Sequence, residues 1–185
     1  MSTGAQTYQR RREETTVAKS FWNHIVYSVP PANFALIERC IDELFPWHKY
    51  VRRDDIVGYL LCREDGMDKV FFRPTEAAGQ FADQIARLRQ IDPALDKAVR
   101  GLKELRPDLN DHDGFRVSSI AEFERLVEKT RRIEKERPEY RLQLMDVRRP
   151  GQSNSQSDEI YEAFIRIELL GPVRNTLEMQ AIKGT

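Results

Sequence analysis

The chain is poor in the residues that usually announce a site. Among 185 residues there are two cysteines and three histidines. Cys40 and Cys62 show no CxxC or Cys/His spacing, so they read as buried apolar thiols and not as a metal or redox motif. An excess of one charge is also missing, because 30 Lys and Arg cancel 30 Asp and Glu. That balance argues against a protein built to grip phosphate backbones, and against a polybasic membrane anchor. No apolar run approaches the roughly 18 residues needed to cross a bilayer. The first twenty residues, MSTGAQTYQRRREETTVAKS, lack the apolar stretch of a secretory signal. The expectation is a cytoplasmic protein with no nucleic-acid and no membrane partner.

What is present suits a compact fold. Hydrophobic residues make up 40% and charged residues 32%, enough for one domain or for two small modules sharing a core. Residues 1–20 read as a solvated arm, the Arg10–Arg12 run included. Trp22–Val29 is β-branched and aromatic, as a strand should be. Phe34, Ile37, Ile41, Leu44 and Phe45 recur at helical spacing, and Pro46 ends that helix. Three short strands are expected at His48–Arg52, Val57–Arg63 and Lys69–Arg73, the last two separated by a turn at Glu64–Met67. Residues 75–110 differ in kind: two helices joined near Asp92-Pro93, with Phe81, Ile85, Leu88, Leu95, Val99 and Leu102 forming apolar stripes. An insert of that length is a lid, a spacer or an interaction surface, and the stripes favour the last. Then the first pattern returns: strand Gly114–Val117, helix Ala121–Ile133, strand Tyr140–Arg148, a flexible loop Arg149–Asp158, and strands Ile160–Leu169 and Thr176–Ile182.

Strand, helix and three strands thus occur twice, and the repeat shows in residues as well. Asn23-His24-Ile-Val-Tyr27-Ser-Val29 lies over Asp111-His112-Asp-Gly-Phe115-Arg-Val117 without a gap. Each half sets a histidine three residues before an aromatic and five before a valine. Two of the chain's three histidines fall at that one repeat position.

These segments resemble the vicinal oxygen chelate superfamily, which includes glyoxalase I, methylmalonyl-CoA epimerase, the bleomycin-resistance proteins and the extradiol dioxygenases. The resemblance rests on His24-Ile-Val-Tyr-Ser-Val, on His112-Asp-Gly-Phe-Arg-Val, and on Gly171-Pro-Val-Arg-Asn-Thr-Leu-Glu178-Met-Gln. The last segment is similar to the family ending, with Arg174 in place of the glycine before the Asn. The resemblance covers residues 22–182 apart from the insert. It implies an α+β fold of tandem βαβββ modules, residues 21–74 and 111–185, forming a cupped mixed sheet with the helical insert between them. It also implies metal ligands at His24, His112 and Glu178, and it places Val70 at the fourth ligand position of the family, where an apolar side chain cannot bind an ion.

Two imidazoles and one carboxylate can hold one face of an octahedron and leave the other open, as in non-haem Fe(II) oxygen chemistry. The leading expectation is therefore a small dioxygenase that binds a catechol-like aromatic through vicinal oxygens, with Fe(II) favoured. A glyoxalase- or epimerase-like isomerase or lyase using Zn, Ni, Co or Mn is one alternative. A non-catalytic, drug-sequestering binding protein is the other, and under any of these readings the insert is a candidate homodimer surface. Glu178 has a bland reading too: an outward surface charge, with Leu177 and Met179 facing the core. His48 is a candidate general base. Tyr27, Tyr59, Tyr161, Arg116 and Arg166 are candidates to line the cup, Tyr161 being the catalytic one. Tyr161 and Arg166 lie five apart and cannot both face it.

Overall fold

The computed structural model describes residues 24–61, 69–109, 111–155, 157–172 and 175–184. The N-terminal arm, Trp22, Cys62, the turn at 64–67 and Arg174 lie outside the described residues. The elements run β1 (His24–Val29), α1 (Phe34–Leu44), β2 (His48–Arg53), β3 (Ile56–Leu60) and β4 (Lys69–Pro74). The insert follows as α2 (Glu76–Ile91) and α3 (Pro93–Glu104). Then come β5 (His112–Arg116), α4 (Ile120–Glu136), β6 (Leu142–Arg148), β7 (Ile160–Ile167) and β8 (Thr176–Ile182). They build two four-stranded mixed sheets, ordered β1-β4-β3-β2 and β5-β8-β7-β6. In each, the first strand runs parallel to the last and the remaining pairs are antiparallel. This is the α+β arrangement of tandem βαβββ modules that the sequence implied.

Helical spacing decides which side of each sheet is covered. In α1, Phe34, Ile37, Cys40, Ile41 and Leu44 are buried, and in α4 Phe123, Leu126, Val127, Thr130 and Ile133 are. Ser119 caps α4 by accepting from the Glu122 amide at 3.2 Å, while the Glu122 carboxylate accepts from the Ser118 amide at 3.1 Å, a reciprocal arrangement that satisfies two amides at the helix start. Both helices pack on the sheet faces that carry Tyr27, Val29, Val70 and Phe72 in one half and Phe115, Val117, Leu177 and Met179 in the other, and the whole forms one core. Aromatic contacts cross between the halves: Phe45 meets Phe115 edge-on at 5.2 Å, and Trp47 meets it at 5.1 Å. The Tyr27 hydroxyl donates to Asp113, and the Tyr140 hydroxyl donates to Glu43 at 2.7 Å. Cys40 is fully enclosed, and burial pushes its thiol up to about 12, so it is an inert core residue.

Three expectations are corrected. Tyr140 does not start a strand; it closes a 3-10 turn at Pro138–Tyr140, because Arg141 adopts a left-handed φ of 47° that no strand allows. The strand expected to reach Leu169 stops at Ile167 and gives way to a 3-10 turn, Glu168–Leu170. The loop that its composition marks as flexible is tied down at its start, where the Arg149 guanidinium grips Glu124 of α4 with two hydrogen bonds of 2.8 and 2.6 Å.

The insert helices begin where the caps predict. Thr75 accepts from the Ala78 amide, and Asp92, followed by Pro93 in the first turn, accepts from the Ala94 and Leu95 amides. Neither helix contains a buried residue. Polar links attach the insert to the second sheet instead: Lys103 pairs with Glu168, its carbonyl accepts from Arg166 at 2.8 Å, and Asp108 pairs with Arg148 at 2.5 Å.

Candidate functional site

Side chains alternate across a strand, and residues paired across neighbouring strands share a face. The register therefore assigns every candidate to the helix side or to the open side. In the second sheet, β5 and β8 pair His112 with Thr176 and Gly114 with Glu178, and β7 and β8 pair Phe164 with Glu178. Leu177 and Met179 belong to the helix-side core, so Glu178 stands on the open side with His112. There it is not an ordinary surface charge: it is buried, and His112 Nε2 lies 3.2 Å from its Oε2. Gly114 makes room, since a Cβ there would sit 3.3 Å from that oxygen. The Gln180 amide donates to the other oxygen at 2.8 Å. Phe164 meets the His112 ring edge-on at 5.6 Å.

A charged cluster continues along the same face. Arg148 is 2% exposed, lies over the Phe164 ring and is held by Asp108 at 2.5 Å and Asp146 at 2.7 Å. Arg106 and Arg148 together hold the Asp108 carboxyl well below the usual carboxylate range. Glu162 faces both Arg148 and Glu178. Burial first, and the neighbouring Glu178 second, push its carboxyl above the usual range. Its Oε2 and Arg148 Nη1 are 3.9 Å apart, and each lacks a hydrogen-bond partner among the described residues. Sequence reasoning missed Arg148, Glu162 and Asp108. The signal was available for Glu162, a carboxylate in the otherwise apolar run Ile160-Tyr-Glu-Ala-Phe-Ile. Asp108 is distant in sequence and gave none.

The first sheet repeats the register with other side chains. Pairing sets His24 opposite Lys69, Ile25 opposite Val70 and Val26 opposite Phe71. Superimposing His24 on His112 makes Phe71 the counterpart of Glu178. The assignment of Val70 to that position is therefore corrected by one residue: Val70 is 3% exposed and belongs to the helix-side core. His24 is exposed and meets the Phe71 ring edge-on at 5.8 Å. His48 pairs with Leu60, which pairs with Lys69, which pairs with His24. It shares the open face but sits at the far edge of the first sheet, three strand spacings of about 4.8 Å from His24. Tyr161 is corrected as a candidate for the cup: it pairs with Ala181 and meets Phe123 of α4 at 5.8 Å, which puts it on the helix side. Tyr27 and Tyr59 are core residues as well, whereas Arg166 shares the open face with Thr176 and His112.

Metal ligands about 2.1 Å from one ion and at right angles to each other hold their donor atoms about 3 Å apart. The 3.2 Å between His112 Nε2 and Glu178 Oε2 fits two such neighbouring ligands. His24 does not join them: among the described residues, no three His, Cys, Asp or Glu side chains come together closely enough to hold an ion.

No protein-family model and no curated protein matches the chain. Solved structures do. A glyoxylase/bleomycin resistance protein/dioxygenase domain from Frankia sp. EAN1pec superimposes with a TM-score of 0.51 at 13% identity, over 89% of this chain and 98% of that one. The chain has the vicinal oxygen chelate fold. Two further solved structures, lactoylglutathione lyase from Agrobacterium tumefaciens and the fosfomycin resistance protein FosX from Mesorhizobium loti, match at TM-scores of 0.49 and 0.48. Their identities are 11% and 12%, over 90% of this chain in both cases and over 96% and 93% of theirs. At such identities the vicinal oxygen chelate likeness concerns the path of the backbone. Among the described residues, no helix is long and apolar enough to cross a membrane.

Proposed function

We propose that the protein is a metal-dependent enzyme of the vicinal oxygen chelate kind, with its active centre on the open face of the second sheet. The observation that carries this reading is the His112–Glu178 pair, spaced as two ligands of one ion on a buried face. His24, at the repeat-equivalent position, is the proposed third ligand. Its exposed side chain stands apart from the pair and meets the Phe71 ring edge-on, so it would have to turn inward to join them. Phe71 offers no donor at the fourth position, so a 2-His-1-carboxylate set with open sites favours a small dioxygenase with a catechol-like substrate bound through vicinal oxygens. A bound divalent ion, Fe(II) first and Mn, Zn, Ni or Co otherwise, supplies Lewis acidity and, as iron, reactivity towards O₂. The chain's own residues orient and shield. Gln180 fixes the Glu178 carboxylate, Phe164 holds the His112 ring edge-on, and Asp108 with Arg148 closes the face beside them to water.

A second reading, small-molecule binding without catalysis, is favoured by the separation of His24 from the other two ligands. Metal content of protein purified anaerobically without chelator separates them. The expected result is about one ion per chain, with retention weakened by more than about 100-fold in His112→Ala and Glu178→Ala and unchanged in His48→Ala. Wild type that takes up none of Fe, Mn, Zn, Ni or Co gives the protein to the binding reading. With metal bound, O₂ uptake with catechols marks a dioxygenase, and its absence leaves a glyoxalase- or epimerase-like isomerase or lyase.

A further inference from the structure

A cavity lies beside the pair, not on it. Its volume is about 140 Å³, and Leu102, Lys103 and Leu109 from the insert side face Arg166, Asn175 and Thr176 of the second half across it. Asp111 and Pro172 also line it. At about 30 Å³ per water, that is space for about five waters. Register ties the cavity to the candidate centre: Arg166 pairs with Thr176 and Thr176 with His112, so the three share one row of the open face.

Arg166 is the unusual member. It is 5% exposed, and its hydrogen bonds go to neutral acceptors, the Lys103 carbonyl at 2.8 Å and Gln143 Oε1 at 3.4 Å. Its enclosed Nε has no hydrogen-bond partner among the described residues. Among the described residues no carboxylate pairs with it, and the nearby Glu168 is engaged by Lys103. A buried guanidinium without an anion is unfavourable, and burial indeed lowers the Arg166 pKa while Glu168 pulls it back only from a distance. The guanidinium lines the cavity, and among the described residues only two of its five N–H groups are engaged, so it keeps planar donor capacity for a carboxylate.

We propose that this cavity binds the carboxylate of a small organic acid, with Arg166 as its anchor and the insert as its roof. Leu102, Leu109 and Pro172 would contact the apolar part of the acid, and Thr176 leads from the anchored end towards His112. Asp111, exposed at the rim, disfavours a second negative charge, so a monocarboxylate is bound in preference to inorganic phosphate. As a statement about substrate this rests on the proposed centre at His112 and Glu178; as a statement about binding it stands without it.

The test uses the full chain stripped of metal, so that a failed metal site cannot mask or mimic the result. Benzoate, propionate and inorganic phosphate are titrated by calorimetry and by the ¹⁵N–¹H signal of the Arg166 side-chain Nε. Benzoate or propionate should bind one per chain, at least about tenfold tighter than phosphate, and move that signal, since an anion on the guanidinium changes the environment of its Nε–H. Leu102→Trp fills the cavity from an exposed helix position and should weaken carboxylate binding about tenfold or more with the fold kept. Arg166→Lys should do the same if it folds; Leu102→Trp decides if it does not. No carboxylate binding, binding that Leu102→Trp leaves unchanged, an unmoved Arg166 signal, or phosphate binding more tightly than benzoate would each overturn the proposal.

Discussion

The two halves share one scaffold and use it differently. In the first, the row that opens with His24 continues through exposed Val26 and half-buried Phe71, beside exposed Tyr50. In the second, the same register carries His112, Glu178, Phe164, Arg148 and Glu162, and four of these five are buried. The insert accounts for the difference. It reaches over the second sheet through Asp108 and Lys103, and charges taken from water need partners, which is why Arg148 has two carboxylates in direct contact. Register fixes where a side chain can stand; cover decides whether its chemistry is strengthened by exclusion of water. An apolar face and a charged face have thus grown on one repeated backbone.

The sharpest way to break the comparison is to put the acid of the second half into the first. Val70→Glu buries a carboxylate in the helix-side core and should cost about 3–5 kcal/mol, read as a collapse of thermal or urea stability. Phe71→Glu places it on the open face next to His24 and should cost only about 1–2 kcal/mol, the loss of ring contacts with His24 and Tyr50. If the centre is as proposed, Phe71→Glu also adds a fourth ligand, so metal retention rises while any O₂-dependent turnover falls. The reverse order of stabilities would mean that the register of β1 and β4 is wrong.

The same pair of residues shows how far the sequence could be read. Alternation and helical spacing carried the fold, because α1 and α4 have clean apolar stripes and the strands are short and well bounded. The ligand candidates were legible because histidine is scarce and two fell at one repeat position. The fourth position slipped by one residue because Lys69-Val-Phe-Phe has no polar residue to mark its open face, and pairing with β1 alone sets the phase. Glu178 looked like a choice between ligand and surface charge with Leu177 and Met179 inward. In fact β8 is buried on both faces, so those two residues do face the core while Glu178 is enclosed. Arg148 and Asp108 were out of reach, being joined only by the tertiary path of the insert.

The insert's own contribution is the next test. Asp108→Asn removes one carboxylate from a guanidinium that is 2% exposed and should cost about 2 kcal/mol at neutral pH. Because Arg106 and Arg148 depress the Asp108 pKa in the folded chain, the stability it contributes is fully present above the unfolded value of about 4. It is lost as pH falls through the lower, folded value. Wild type should therefore lose stability more steeply than Asp108→Asn below about pH 4, and the two acid-unfolding curves should converge. Parallel curves would show that the insert does not clamp the second face through this residue.

The smallest effect separates the two faces most cleanly, because each contains one glycine next to its key side chain. At Gly58 a Cβ would lie 2.6 Å from Val51 Cγ1 and 2.8 Å from the Phe71 ring, so Gly58→Ala must displace a stiff β-branched residue and a ring, at about 1–2 kcal/mol. At Gly114 the nearest atom is Glu178 Oε2 at 3.3 Å, the end of a side chain that can turn by a few tenths of an ångström. Gly114→Ala should leave stability within about 0.5 kcal/mol, since restricting the unfolded chain offsets the slight crowding. The carboxylate, however, is tuned by its neighbours, and turning it away from His112 should weaken metal retention about tenfold. The first face would then answer an added methyl group with a loss of stability, and the second with a loss of affinity. A Gly114→Ala protein that keeps both stability and metal would place the binding centre away from Glu178, whatever the fold.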